Sequence, residues 1–289
     1  MRLGAVIGLV VALLAAGCGG ARKAASPTTT AAATTTASAS ELRVGVVGPL
    51  TLDVPGVATE HGTLAQVADA PLVLVAAGAA GLAAVADAAR AHPASHFALV
   101  GASTKAHRVG NLVGLVLRDE QAARLAGIVA GYAAADVGGT APRVAWVGPQ
   151  DRRLANAFAQ GVHQALPSAT VLDEWSRSIP ARCKEAALAG IGRGAMVVVA
   201  DRGLCAEAAI AAAQQQNVAG LKLGDFEFRN VAANLVVRDA AAGVYHGGED
   251  VVFGAGSGAI GVGRLDPRIS VATLMRARAA AQELASAGP

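Results

Sequence analysis

After residue 40, short runs rich in β-branched residues alternate with Ala-rich amphipathic segments. This alternation is typical of parallel sheets with helices packed on their faces. Several of the runs are apolar throughout, as strands buried on both faces must be. The sequence therefore predicts an α/β fold. Strands are predicted over residues 42–47, 72–76, 97–100, 112–116, 143–147, 170–173, 195–200, 220–223 and 234–237, and helices over 81–91, 119–135, 152–165, 181–192, 203–216 and 271–287.

The first 18 residues have the order of a secretory signal peptide. A single charged side chain, Arg2, precedes an apolar stretch over residues 3–14, and small residues precede Cys18. The stretch is shorter than the roughly 20 apolar residues of a membrane-spanning helix. The string Leu-Ala-Ala-Gly-Cys over residues 14–18 resembles a lipobox, so we expect a diacylglycerol group on Cys18. Ordinary signal cleavage is the alternative, because Ala15 stands where leucine is more usual.

Residues 19–40 are predicted to form a flexible tether. From residue 24 to 40 the chain contains only Ala, Thr and Ser apart from Pro27. Such a segment has too little bulky apolar surface to repay the entropy of ordering it. We therefore expect an exported protein that is held by its lipid on the outer face of the cell membrane.

The charge pattern and the motifs exclude several classes of function. The chain has 24 basic and 21 acidic residues, which are interspersed, and a formal charge of +3. No basic stripe is present to neutralise a phosphate backbone, so no nucleic-acid partner is expected. The sequence has no Walker loop, no nucleophile elbow and no clustered Cys/His set. We therefore expect no enzyme, no metal and no cofactor.

The cysteines favour one disulfide. Once Cys18 is assigned to lipid, Cys183 and Cys205 remain as an even pair in an oxidising compartment. Two buried free thiols are the alternative, because a sequence does not show whether two Cα atoms lie within bonding range.

Five strings between residues 119 and 263 resemble a known family in their order and spacing. They are Asp-Glu-Gln-Ala-Ala-Arg-Leu-Ala-Gly over 119–127, Arg-Val-Ala-Trp-Val-Gly over 143–148, Phe-Ala-Gln-Gly over 158–161, Lys-Glu-Ala-Ala over 184–187 and Gly-Ala-Ile-Gly-Val-Gly over 258–263. The family is the basic membrane protein family of substrate-binding lipoproteins, which includes purine nucleoside receptors of ABC transporters.

The resemblance implies two Rossmann-like α/β lobes joined by a hinge, in the manner of type I periplasmic binding proteins. Lobe I would comprise residues 41–118 and a return segment at about 225–255, and lobe II residues 119–224 and a C-terminal segment at about 256–289. Open parallel sheets bind ligands at the carboxyl ends of their strands. The implied function is capture of a small polar solute, a nucleoside by family, for an ABC permease in the same membrane.

Loops that follow strands supply the candidate ligand contacts, because helix N-termini there present free N–H groups and a positive dipole end. The candidates are Trp175 and Phe226 as stacking faces, and Ser178, Asp201, Arg202 and Asp225 as polar contacts.

The N-terminal part departs from the family pattern. Nucleoside-binding members carry an aspartate and a Phe-Asn pair soon after the first strand, but no Phe, Trp or Tyr precedes Phe97 here, and the first helix and second strand look shortened or absent. Where the family typically has a Gly-Val-Asp-x-Asp string, this chain has Lys-Leu-Gly-Asp-Phe over residues 222–226.

These departures motivate an alternative function, a surface lipoprotein that has lost solute transport and binds a protein or envelope component. A cleft filled by side chains favours that alternative, and a roomy cleft lined by Trp175, Asp201 and Asp225 favours transport.

Overall fold

The computed structural model describes residues 41–177 and 179–287, which contain ten strands and eight α-helices. The strands are β1 Leu42–Val47, β2 Val57–His61, β3 Leu72–Ala76, β4 His96–Val100, β5 Leu112–Leu117, β6 Arg143–Gly148, β7 Thr170–Trp175, β8 Val197–Ala200, β9 Ala219–Lys222 and β10 Asp250–Phe253. The helices are α1 Leu64–Val67, α2 Leu82–Ala91, α3 Asp119–Val137, α4 Arg152–Ala165, α5 Pro180–Gly192, α6 Gly203–Gln215, α7 Arg229–Ala241 and α8 Val271–Ser286. The expected signal peptide with Cys18, the expected tether and Ser178 lie outside the described residues. None of the helices within those two ranges is long and apolar enough to cross a bilayer.

The strands form two parallel sheets, which confirms the α/β prediction. The first sheet has the order β10-β5-β4-β3-β1-β2, and the second has the order β7-β6-β8-β9. The order of strands reverses between β1 and β3 in one sheet and between β6 and β8 in the other. At such a reversal the loops at the carboxyl ends diverge and leave a crevice, which is where sheets of this kind hold ligands.

The chain passes between the sheets at adjacent points. It leaves the first sheet after β5 and returns after β9, where α7 packs on β3, β4 and β5. It leaves the first sheet again after β10, which pairs with β5, and α8 then packs on α3. Backbone hydrogen bonds join these crossings: Arg118 N–H donates to the carbonyl of Phe253, and Phe228 N–H to the carbonyl of Ala259, both over 2.8 Å.

The predicted strand over residues 234–237 is wrong, because this run lies inside α7. Its β-branched residues suggested a strand, but its apolar side chains are buried at helical spacing against the first sheet. The buried positions of α7 are Ala232, Ala233, Val236, Val237 and Ala240.

The first crossover of the sheet has no helix. Residues 48–56 connect β1 to β2, and two backbone N–H groups of this loop donate to α7. Thr51 donates to Asn230 Oδ1 over 3.2 Å, and Asp53 donates to Asn234 Oδ1 over 3.1 Å. Parallel strands are usually joined by a dozen or more residues containing a helix. Here α7, which is distant in sequence, packs against the loop instead.

Two glycines bring α3 and α4 into backbone contact. A Cβ added at Gly161 would lie 1.9 Å from the carbonyl oxygen of Arg124, and one added at Gly127 would lie 2.1 Å from that of Phe158. All four residues belong to strings on which the family resemblance rests. At these four positions the two strings specify helix packing.

Substituting Gly161→Ala is expected to destabilise the fold by about 1–3 kcal/mol, because the added methyl group forces two helices apart. The matched control is Gly192→Ala at the end of α5, where a Cβ meets nothing within 4 Å. The control is expected to keep or slightly raise stability, since alanine loses less backbone entropy in a helix. Urea unfolding of both variants measures the difference, and equal stabilities would contradict the packing argument.

Candidate ligand-binding cleft

A cavity of about 660 Å³ lies between the two sheets at the carboxyl ends of their strands. Both strand-order reversals border it, because Pro49 follows β1 and Arg202 follows β8. Its volume is within the range of ~300–1,000 Å³ that is usual for small-molecule sites. The lining residues are Pro49, Arg202, Gly203, Ala206, Glu207, Lys222, Gly224, Asp225, Glu227, Phe228, Arg229, Asn230 and Val231.

Arg202 is surrounded by carboxylates of the protein itself. Its Nε donates to Glu227 Oε2 over 3.0 Å, and its Nη2 donates to Glu227 Oε1. Its Nη1 donates to Asp201 over 3.0 Å, and Asp119 Oδ1 lies 3.0 Å from Nη2. Asp119 begins α3 and Glu227 precedes α7, so the guanidinium joins two segments that cross between the sheets. Arg202 borders the cavity, but its charge is already met by these internal partners.

Burial shifts the ionisation of this cluster. It raises the pKa of Asp119 and Asp201, and the neighbouring charge of Arg202 only partly offsets that rise. Burial alone would lower the pKa of Arg202, but the hydrogen bonds and charge of Glu227, together with both aspartates, raise it. The guanidinium therefore stays protonated within an excess of negative charge.

The loop after β9 supplies a carboxylate to the cavity. Asp225 Oδ2 accepts the backbone N–H of Lys222 over 2.9 Å, and burial raises the pKa of Asp225. The Lys222 ammonium lies 3.1 Å from Glu207 Oε1 and is thereby paired. Asp225 accordingly presents an acceptor to the cavity without a salt bridge to any described cation.

The start of α7 forms the wall on the side of the first sheet. Phe228 and Arg229 are half-buried, and Asn230 is exposed. The Arg229 side chain crosses the carboxyl end of β4, where a Cβ on Gly101 would lie 3.1 Å from its Nε. Asn230 Oδ1 accepts the N–H of Thr51, and among the described residues its amide nitrogen has no acceptor, so both of its N–H donors remain for another partner.

Of the residues expected to contact ligand, Asp225 and Arg202 border the cavity. Asp201 lies beside it, is mostly covered and is bound to Arg202. Trp175 ends the edge strand β7 and is 40% exposed, but it does not line this cavity. Ser178 is outside the described residues.

The expectation that Phe226 stacks on a ligand is wrong, because its side chain is completely buried. Residues Leu223–Phe226 form a single 3₁₀ turn. Side chains three residues apart eclipse one another in such a turn, so Leu223 and Phe226 both enter the hydrophobic core.

The lining residues that were not anticipated include Glu207, Phe228, Arg229 and Asn230. The last three lie at the start of α7, which was obscured by the strand assigned to residues 234–237. If residues 234–237 had been assigned to a helix, Phe228, Arg229 and Asn230 would have been selected as candidate ligand contacts, because they lie at a helix start that follows a strand.

The expected disulfide is present between Cys183 and Cys205, whose Cα atoms lie 5.3 Å apart. Both cysteines are buried, and Ser176 packs against them with its Oγ 3.1 Å from Cys183 Sγ. The bond ties the first turn of α5 to the first turn of α6. Because Gly203 and Ala206 of α6 line the cavity, the disulfide fixes part of its wall.

No family model and no curated protein sequence matches the chain. The similarity to solved structures is one of fold. An ABC transporter solute-binding protein from Conexibacter woesei is 18% identical with a TM-score of 0.61, covering 85% of this chain and 97% of its own. An ABC transporter solute-binding protein from Aeropyrum pernix is 16% identical with a TM-score of 0.56, covering 85% and 92%. A transcriptional activator of the comK gene from Bacillus halodurans is 14% identical with a TM-score of 0.62, covering 86% and 99%.

Proposed function

We propose that this chain is an extracytoplasmic solute-binding lipoprotein of an ABC transporter. The two sheets with their helices act as the lobes, with boundaries near residues 118, 225 and 255. The lobes close around a small polar solute and deliver it to a permease in the same membrane. A solute shifts the equilibrium between open and closed forms through its better contacts in the closed form.

The observation that carries this proposal is the cavity of about 660 Å³ at the strand-order reversals of both sheets. Its walls combine an aromatic side chain, charged groups and an amide, the mixture that fixes a small polar molecule. The fold it shares with solute-binding proteins of two organisms is consistent with this role.

The finer features of the proposal come from the sequence. Cys18 carries the lipid, and the chain is a divergent relative of the basic membrane protein family. Mass spectrometry of the mature protein tests the anchor: we expect a diacylglycerol-modified N-terminal cysteine, and an unmodified N-terminus would contradict it. A nucleoside is the ligand expected by family, but the cavity has one described aromatic side chain, Phe228, and none from the first strand's loop.

One observation favours the alternative of a surface lipoprotein without solute transport. The loop after β1 has no helix, and Pro49 is its only residue that lines the cavity. Against this alternative, the cleft is roomy rather than filled by side chains. Of the three residues expected to line a transport cleft, Asp225 does so, whereas Trp175 and Asp201 do not.

Solute binding is tested by thermal unfolding of the lipidated protein, purified from membranes, against nucleosides, nucleobases, sugars and amino acids. A ligand at ~100 times its Kd adds about 2.7 kcal/mol of stability. For a folded part of this size that corresponds to a rise in Tm of about 5–10 °C. The absence of any shift across the panel would contradict the proposal.

A blocking variant locates the site. Gly224 lines the cavity, and a Cβ added there meets nothing within 4 Å, so Gly224→Phe fills open space without straining the fold. We expect this variant to lose the ligand-induced shift while its own Tm stays near that of the wild type. Gly81→Phe, placed in open space before α2, is the control and should keep the shift. A full shift in Gly224→Phe would place the ligand elsewhere.

A further inference from the structure

The charges that line the cavity are internally paired, with one exception among the cations. Arg202 is held by Glu227, Asp201 and Asp119, and Lys222 is paired with Glu207. Within residues 41–177 and 179–287, no carboxylate lies within the 4.0 Å salt-bridge distance of Arg229. A half-buried guanidinium without a counter-charge is a ready partner for an anion.

The Arg229 side chain is also well placed. Its Nε and Cζ lie 3.1 and 3.2 Å from the position that a Cβ on Gly101 would occupy. Gly101 has a φ of +91°, a conformation in which a side chain would be strained, so the backbone there remains open to the guanidinium. Contact with this backbone limits the conformations of Arg229 before any ligand arrives, which lowers the entropy lost on binding.

Further donors surround this cation. Asn230 Oδ1 accepts the N–H of Thr51, and no described residue accepts a hydrogen bond from its Nδ2 group. α7 has 13 residues and begins at Arg229 without a side-chain cap at Phe228, so the positive end of its dipole lies beside Arg229 and Asn230. The Nδ2 group and the helix dipole reinforce the guanidinium, whereas Asp225 on the wall of the second sheet requires a hydrogen-bond donor.

We propose that the solute carries one anionic group, a carboxylate or a phosphate monoester, which Arg229 binds with help from Asn230. A hydroxyl or ammonium group of the same solute faces Asp225. This inference rests on the proposed function and specifies its ligand class. It replaces the neutral nucleoside expected by family with a metabolite that carries one anionic group.

The test compares solutes that differ by one anionic group, by isothermal titration calorimetry with the lipidated protein. The pairs are glucose with glucuronate, glucose with glucose 6-phosphate, and adenosine with adenosine monophosphate, and amino acids form a zwitterionic set. At least one anionic compound is expected to bind ~10-fold or more tightly than its neutral partner, and more weakly as salt screens the charge. The carboxylate and phosphate members distinguish the two sources of the anion.

Arg229→Gln is expected to weaken binding of that anion by ~10- to 100-fold, the range for losing hydrogen bonds to a charged group. Arg278→Gln, at an exposed position of α8, is the control and should leave binding unchanged. Arg229→Lys keeps the charge and should retain part of the affinity, which separates loss of charge from any loss of folding.

The outcomes separate the two proposals. Equal affinity for neutral and anionic partners, together with an unaffected Arg229→Gln variant, would overturn the anion assignment and leave solute binding intact. Silence from every compound would contradict the proposed function and this inference together.

Discussion

Replacing both Cys183 and Cys205 by alanine is expected to lower the free energy of unfolding by about 3 kcal/mol. The bond closes a loop with a sequence separation of 22, and the unfolded chain gains the corresponding freedom when the bond is removed. Alanine avoids placing new hydroxyl groups in the buried site beside Ser176. Guanidinium unfolding monitored by circular dichroism measures the change.

Reduction provides the control for that prediction. Dithiothreitol should destabilise the wild-type protein by a similar amount and leave the double-alanine variant unchanged. If the reductant acts equally on both proteins, or on neither, the disulfide does not carry the stability assigned to it. Because α6 lines the cavity, we also expect the double variant to bind solute more weakly at a temperature where it remains folded.

Substituting Arg202→Met is expected to cost about 3–5 kcal/mol, because it leaves a buried carboxylate without its partner. The side chain of Glu227 is 2% exposed and receives two hydrogen bonds from this guanidinium. Arg182→Met is the matched control, since Arg182 pairs with Glu185 on the exposed surface of α5, where such pairs contribute ~0–1 kcal/mol. Equal losses of unfolding free energy in the two variants would show that the ion pairs of Arg202 do not stabilise the contact between these segments.

The cost of Arg202→Met should depend on pH. The folded-state pKa values of Asp119 and Asp201 lie above the ordinary 3.8, so ionising these groups already opposes folding at neutral pH. Removing the cation raises both pKa values further, because its charge lowers them in the wild type. As the pH falls from 7 toward 4, Asp119 and Asp201 take up protons, and the difference in free energy of unfolding between variant and wild type should shrink.

The double variant Arg202→Met with Glu227→Gln should be more stable than the single variant Arg202→Met at pH 7, because it removes the charge of the buried carboxylate as well.

The sequence predicted the elements whose side chains are buried and regularly spaced. β3 and β8 are buried along their whole length, and their continuous apolar runs predicted them as strands. β2 was missed because most of its positions are exposed at the edge of the sheet, which leaves no apolar pattern. The run at residues 234–237 was assigned to a strand because its local β-branched composition favours one, whereas its packing against the first sheet decides for a helix.

The site was predicted less well, for a physical reason. Sequence places Asp225 and Arg202 near strand ends, but whether a side chain faces the cavity depends on the turn that carries it. The 3₁₀ turn after β9 sends Phe226 inward and leaves Asp225 at the cavity. Arg202 shows a second limit, since its carboxylate partners Asp119 and Glu227 are distant in sequence and become neighbours only in the folded chain.

The short segment between β9 and α7 serves the cavity and the passage between sheets at once. Asp225 and Glu227 lie on the stretch by which the chain returns to the first sheet, and Arg229 follows directly. In the proposed receptor, a substitution there would alter both the choice of solute and the ease with which the lobes move. Specificity and gating would therefore evolve together, and transplanting this stretch into a related receptor should transfer both properties as one unit.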